Sequence, residues 1–258
     1  RVTVFKNLGG KFEEATEKFG LQKSGGWWNS LGLADLDGDG DLDIAAGNQG
    51  LNTRYLASAE HPLEVFSKDF DGNGSLDPLI CQWEGDKLFP VPYRDQMLKQ
   101  LPPLKKKFVH YSAYSTAVVA EFYPKNELAA AQHLTAEELG SGWFENQNGH
   151  FTFHRFPNEA QVSPLKSLII NDLDGDGDQD IFAVGNDWGF EIESGRCDSG
   201  DGIFLMNDGK GHFSPKTGLQ TGLHAALDAR RAVLLKKSDG KNLILVANNA
   251  GPLQVWGK

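Results

Sequence analysis

The sequence predicts an all-β chain: a β-propeller of four-stranded antiparallel blades, about four of them, carrying one helical insertion. Three observations predict it. The stretch DLDGDGDLD (35–43) returns as DFDGNGSLD (69–77) and as DLDGDGDQD (172–180). Short apolar runs follow each copy (DIAAGN, DPLICQW and DIFAVGN) and end in Gly-Asn or a polar residue, the pattern of buried strands. An aromatic–x–Asn pattern followed by Gly and Phe recurs in VFKNLGGKF, WFENQNGHF and FLMNDGKGHF, and each copy reads as a hairpin with an Asn/Gly turn.

The elements follow in order. The chain opens in an outer hairpin (2–7 and 11–15) whose inner hairpin is expected upstream. LGLADLDGDGDLDIAAGN is the first inner hairpin. The loop 69–77 comes only 34 residues after the first, out of phase with the inner series, and is expected in the outer turn of the same blade, which would then hold two ions. Residues 84–156 form the irregular blade. Within them, 86–142 is rich in Ala, Leu, Lys and Glu and reads as two or three helices, broken at Pro102–Pro103, with a capped start at Thr135 and Glu138 three residues on. NDLDGDGDQDIFAVGN and FLMNDGKGHF supply the next inner and outer hairpins. KKSDGKNLILVANN is an eroded fourth copy that has lost its ligands at Leu235, Lys237 and Asn242, and PLQVWGK reads as a single outer strand. Phe12 and Phe151 stand 139 residues apart and Phe151 and Phe213 stand 62 apart, so the longer interval reads as two repeats. Four-stranded units at this period mean propeller blades, and the whole of 1–258 reads as one such region. Exposed strand edges at both ends call for further blades or a covering partner.

Composition narrows the functions. Net charge is −10 over 258 residues, which argues against nucleic acid as a partner. No apolar run approaches a membrane span. A chain that opens on Arg1 reads as a mature or trimmed piece of a longer protein. Cys81 lies in an apolar run and reads as a buried thiol, with a Cys81–Cys197 disulfide left open.

The acidic loops hold thirteen of the thirty-five acids, and carboxylates so crowded repel one another unless a cation lies between them. In the first loop Asp35, Asp37, Asp39 and Asp43 fall at positions 1, 3, 5 and 9, with the Asp41 carbonyl at position 7. The second offers Asp69, Asp71, Asn73 and Asp77 with Ser75 at position 7. The third offers Asp172, Asp174, Asp176 and Asp180 with Asp178 at position 7. Oxygen donors at alternating positions, without His or Cys, select Ca²⁺, and three sites are expected. An EF-hand is excluded. Its bidentate Glu at position 12 is replaced by Ala46, Ile80 and Ala183, and strands rather than a helix follow.

These loops, together with GWWNSLGLADLDGDGDLDIAAGNQGLNTRY, KDFDGNGSLDP, RDQMLKQLPPLKKKF, NDLDGDGDQDIFAVGN and NNAGPLQVW, resemble the FG-GAP/VCBS repeats of integrin-α-type propellers. More narrowly they resemble the C-terminal part of the Bacteroidetes VCBS-repeat surface proteins of the cartilage acidic protein type. The resemblance implies a calcium-stabilised propeller that is exported and held at the outer-membrane surface, and no known catalysis. The acidic domain that often follows such propellers is absent from this stretch.

Two functional classes follow. One is a binding or assembly module for a surface protein or glycan, in reach of an outer-membrane transporter complex. The alternative is a glycan-active enzyme such as a calcium-loop polysaccharide lyase, for which LKKKF with His110, Tyr111 and Tyr114 is the one basic cluster. The bland reading of that cluster is a solvated lysine face with packed aromatics. Of Trp27 and Trp28, at least one is expected in the core. The loops NQGLNTRY (48–55) and NDWGFEIESGRCDSGDG (186–202) follow equivalent strands, so Arg54, Tyr55, Trp188 and Arg196 are expected as partner contacts.

Overall fold

The computed structural model describes residues 1–191 and 193–257 and divides them into two compact units. One comprises Arg1–Arg54 and Leu139–Lys258, and the other Tyr55–Glu138. The larger begins with β1 (Phe5–Asn7) and β2 (Phe12–Glu14), a two-stranded sheet, followed by β3 (Ser30–Ala34) and β4 (Asp43–Gly47). The smaller contains β5 (Leu63–Lys68), β6 (Asp77–Glu84), β7 (Lys87–Pro90) and β8 (Gln132–Ala136). The larger unit then resumes with β9 (Gly142–Gln147), β10 (His150–Arg155), β11 (Ser167–Asn171), β12 (Asp180–Val184), β13 (Ile203–Met206) and β14 (Ser214–Thr217). It closes with β15 (Ala229–Lys236), β16 (Asn242–Asn248) and β17 (Gln254–Gly257). Every strand pair within these sheets is antiparallel.

In the larger unit the sheets are β10-β9-β4-β3, β11-β12-β13-β14 and β15-β16-β17. Their side chains alternate between neighbours, as the pleat requires. On β12, Ile181 and Ala183 join a core with Leu36, Ala45 and Trp143, while Phe182 and Val184 join one with Ala229, Ala232 and Val246. On β3, Gly32 makes room for the Ile170 side chain, whose Cδ1 lies 2.6 Å from where a Cβ would stand. The opposite face of β4, β9 and β10 is covered by the opening residues: Val2 and Leu21 pack with Ile44, Ala46 and Phe144, and Trp28 sits edge-on to Phe144 and Phe153 at 5.5 and 5.8 Å. Trp28 is thus a core residue. Leu31 and Leu33 on that face of β3 remain exposed, whereas their counterparts Leu168 and Ile170 on β11 pack into a core.

Two sequence expectations are corrected here. WFENQNGHF is not the hairpin of a further blade. It pairs through β9 with β4, so the 139-residue interval is one repeat interrupted by the inserted unit rather than two repeats. The loop 69–77 is not the outer turn of the blade that carries 35–43. It joins β5 to β6 at the centre of a separate sheet, β7-β6-β5-β8. The spacing misled because an insertion of this length happens to match the hairpin period.

The smaller unit differs in topology too, its fourth strand adding beside β5 instead of beside β7. Short helices α1 (Arg94–Gln100), α2 (Tyr111–Tyr114), α3 (Val119–Phe122) and α4 (Lys125–Ala129) cover this sheet and close a core of Leu79, Cys81, Met97, Leu101, Phe108 and Phe122. The helical stretch expected over 86–142 therefore lies within 94–129, flanked by strands. Thr135 does not cap a helix. It sits in β8 opposite Glu64, where the strand ladder satisfies its backbone, and the few residues before β9 are too few for a stable helix.

Candidate metal centres

All three acidic loops are the turns of antiparallel hairpins, closed by the pairs Ala34–Asp43, Lys68–Asp77 and Asn171–Asp180. Position 1 organises each turn. Asp35 accepts from the Gly38 and Gly40 amides at 2.8 and 3.0 Å, Asp69 from Gly72 and Gly74 at 2.8 Å each, and Asp172 from Gly175 at 2.7 Å. These glycines take positive φ, 77° at Gly38 and 94° at Gly40, a region a side chain disfavours. Position 5 tightens the second half: Asp39, Asn73 and Asp176 accept from the amides of Asp41, Ser75 and Asp178 at 2.8, 2.8 and 3.0 Å.

Position 9 is buried in every copy, Asp43 and Asp180 at 0 % exposure and Asp77 at 3 %. One oxygen of each accepts from the amide of position 2 (Leu36, Phe70, Leu173) at 2.8, 2.9 and 2.9 Å. In the larger unit the other oxygen accepts from the neighbouring hairpin: the Asn146 amide at 2.8 Å on Asp43 and the Asn207 amide at 2.9 Å on Asp180. Burial pushes both carboxyls above the usual range despite those bonds, and the other loop aspartates add to it. Asp37 is raised as well, first by desolvation and then by Asp39, Glu145 and Asp35 around it.

The loops bring together Asp35, Asp37 and Asp39; Asp69, Asp71 and Asp77; and Asp172, Asp174 and Asp180. In each group one carboxylate oxygen per residue lies within 4.8 Å of the others. That is an all-oxygen donor set on one side of a turn, and it fits a hard cation. Ser75 and Asp41 stand at position 7, where the main-chain carbonyl is the available donor. Asp178 stands there too, its carboxylate against Gly209, whose Cβ would come within 2.6 Å. The eroded copy has a different turn. Lys237 donates its amide to the Lys241 carbonyl at 2.8 Å and its ammonium pairs with Asp239 at 3.4 Å, so a lysine stands where the others gather carboxylates.

The partners Asn146 and Asn207 were visible in sequence as hairpin residues, but their clamp on position 9 was not. Asn207 also donates through Nδ2 to the Leu36 carbonyl at 2.7 Å, and the Gly211 amide donates to the same oxygen at 3.0 Å. The turn 207–211 is thereby fastened to the acidic loop of the adjacent sheet. The Gly-Asn ends of β4 and β12 are structural as well. A Cβ on Gly185 would lie 1.8 Å from the Pro164 carbonyl oxygen, and the buried Asn186 holds the Gly200 and Leu227 carbonyls at 2.9 Å.

The expected partner residues separate. Trp188 is 37 % exposed with the Arg196 guanidinium 5.3 Å from its ring centre, a surface pair. Tyr55 is buried at 5 % exposure, so its side chain is core rather than contact surface, because residues 48–55 lead into the inserted unit. Arg54 is half-buried. Cys81 and Cys197 are both free thiols, and burial raises the pKa of each.

Part of the basic cluster is spent on ties between helices, while Lys105, Lys106 and His110 stand exposed. Arg94 donates to the Phe108 and Val109 carbonyls at 2.8 and 2.9 Å, Lys107 reaches the Glu121 carbonyl, and Tyr111 donates to Asp95. That bond, with desolvation, holds the Tyr111 phenol above its ordinary pKa, the opposite of what a base needs.

Among the described residues no helix is long and apolar enough to cross a membrane. A comparison with curated proteins finds no match. Comparison with known families identifies an FG-GAP-like repeat at residues 1–46, the stretch that runs from β1 through the first acidic loop into β4.

Proposed function

We propose that this chain is a calcium-stabilised extracellular module of the propeller type, acting in binding or assembly at the bacterial cell surface with a protein or glycan partner. The observation that carries the reading is the threefold recurrence of one turn, in which position 1 accepts the position 4 amide, position 9 accepts the position 2 amide, and three carboxylates converge. Ca²⁺ would be held by Asp35, Asp37 and Asp39, by Asp69, Asp71 and Asp77, and by Asp172, Asp174 and Asp180. Asp43 at position 9 of the first loop, Asn73 and Asp176 at position 5 of the other two, and the carbonyls at position 7 complete the sets. A bound ion would cancel the repulsion within each loop and lock the hairpin that carries it. The FG-GAP-like repeat, a kind typical of extracellular domains, supports the location and the propeller-type stacking of the sheets.

Thermal unfolding with and without chelator tests this. A ligand that binds only the native state stabilises it, by about 2.7 kcal/mol per site at a hundredfold excess over Kd. EDTA should lower Tm by several degrees, and Ca²⁺ in excess should restore it. An unchanged Tm removes the calcium reading.

A further inference from the structure

A cleft of about 470 Å³ opens beside the first acidic loop, between β9–β10 and the turn that precedes β14. Its size falls within the range of small-molecule sites. Asp37, Glu145, His154, Arg155, Lys210 and His212 line it over Trp143. Its walls are preformed. Trp143 is 5 % exposed and stacks on the His154 ring at 5.1 Å. Gly211 abuts Trp143 so closely that a Cβ would lie 2.4 Å from the indole, and the Gly211 amide is tied to the Leu36 carbonyl.

The polar groups on this cleft are of two kinds. Glu145 takes the Gln147 amide at 2.8 Å and the His154 Nε2 at 2.7 Å, which hold its carboxyl below the ordinary range. His154 thereby keeps Nδ1 as its second ring nitrogen. His212 bonds Asp208 through Nδ1 at 3.0 Å and is left with Nε2. Each ring thus keeps one nitrogen that can exchange a hydrogen bond with a hydroxyl. The Lys210 ammonium has no carboxylate partner among the described residues, and an ion in the adjacent loop would neutralise Asp37. A ligand that satisfies all of these groups carries both an anionic group and several hydroxyls.

We infer that this cleft binds a sugar acid, with the carboxylate toward Lys210 and the cation side of Asp37 and the hydroxyls toward His154 and His212. The inference deepens the proposed binding role and rests on the calcium reading for the charge at Asp37.

Isothermal titration of the calcium-loaded protein with galacturonate, an oligogalacturonide and galactose tests it. Saturable binding of the acidic sugars without binding of galactose is expected. A tighter oligomer would indicate a polymer as the source, and equal affinities a free sugar acid. Lys210→Glu should weaken acid binding by roughly tenfold or more with Tm unchanged, as loss of a charge partner implies. His212→Ala, also at an exposed position, serves as a second variant and should weaken binding too. Galactose binding equally well, both variants binding as wild type does, or no acid binding at all would overturn the assignment. Ca²⁺ titration of the same sample separates the two readings. No ion uptake defeats the calcium reading, whereas ion uptake without sugar-acid binding defeats the cleft alone.

Discussion

Asp180 shows how much one side chain carries. It is fully buried, and its two oxygens hold the Leu173 and Asn207 amides, one in its own loop and one in the next hairpin. Removing it leaves two N–H groups without an acceptor. Asp180→Ala should destabilise the ion-free protein by about 2–4 kcal/mol, and Asp180→Asn, which keeps one acceptor, by less, as measured by urea unfolding. Its pH dependence carries a definite sign. The folded-state carboxyls of Asp43 and Asp180 are raised above 3.8, so in ion-free protein their ionised forms oppose folding. The stability these two contribute should rise as pH falls through the raised values toward 3.8 and be lost again as pH climbs. With Ca²⁺ bound the dependence should invert, because protons then compete with the ion. Urea midpoints from pH 7 to pH 4, with EDTA and with Ca²⁺, for wild type against Asp43→Asn, read the difference directly.

At the scale of elements, the hairpin is the unit that sequence describes well. Alternating Asp and Gly over nine residues defines a turn because charge, φ preference and side-chain capping all act within it, so all three acidic hairpins were legible. The Gly-Asn that ends β4 and β12 was legible as a strand stop, though its reason was not. Gly185 is there because a carbonyl passes 1.8 Å from where its Cβ would stand, and Asn186 because three carbonyls converge on it. Thr135 illustrates the opposite failure. LTAEEL satisfies a local capping rule, yet pairing with β5 prevails, since a strand partner offers more than one isolated turn can.

At the scale of the molecule, the insertion is the finding with most consequence. The Gly50 amide donates to the Leu139 carbonyl at 2.8 Å, so the chain leaves and re-enters the larger unit at nearly the same place. The smaller unit has a core of its own. Replacing residues 55–138 with a short Gly-Ser linker should leave the larger unit folded, with β-type circular dichroism and a cooperative thermal transition. Loss of cooperativity would show that the two units fold as one.

By itself the sequence determined the all-β character, the three carboxylate turns with the spacing of their acids, and the hairpins on which they sit. These are set by charge, turn conformation and apolar alternation within some twenty residues. Only the tertiary structure decided which hairpins share a sheet. It joined β4 to β9 across an inserted unit, gave the loop 69–77 a sheet of its own, and set Asn146 and Asn207 on the buried aspartates of position 9. The physical reason is range. Strand pairing across such an interval is selected by the complementarity of two faces, here Ile44 and Phe144 against Val2 and Leu21, and no local spacing encodes it.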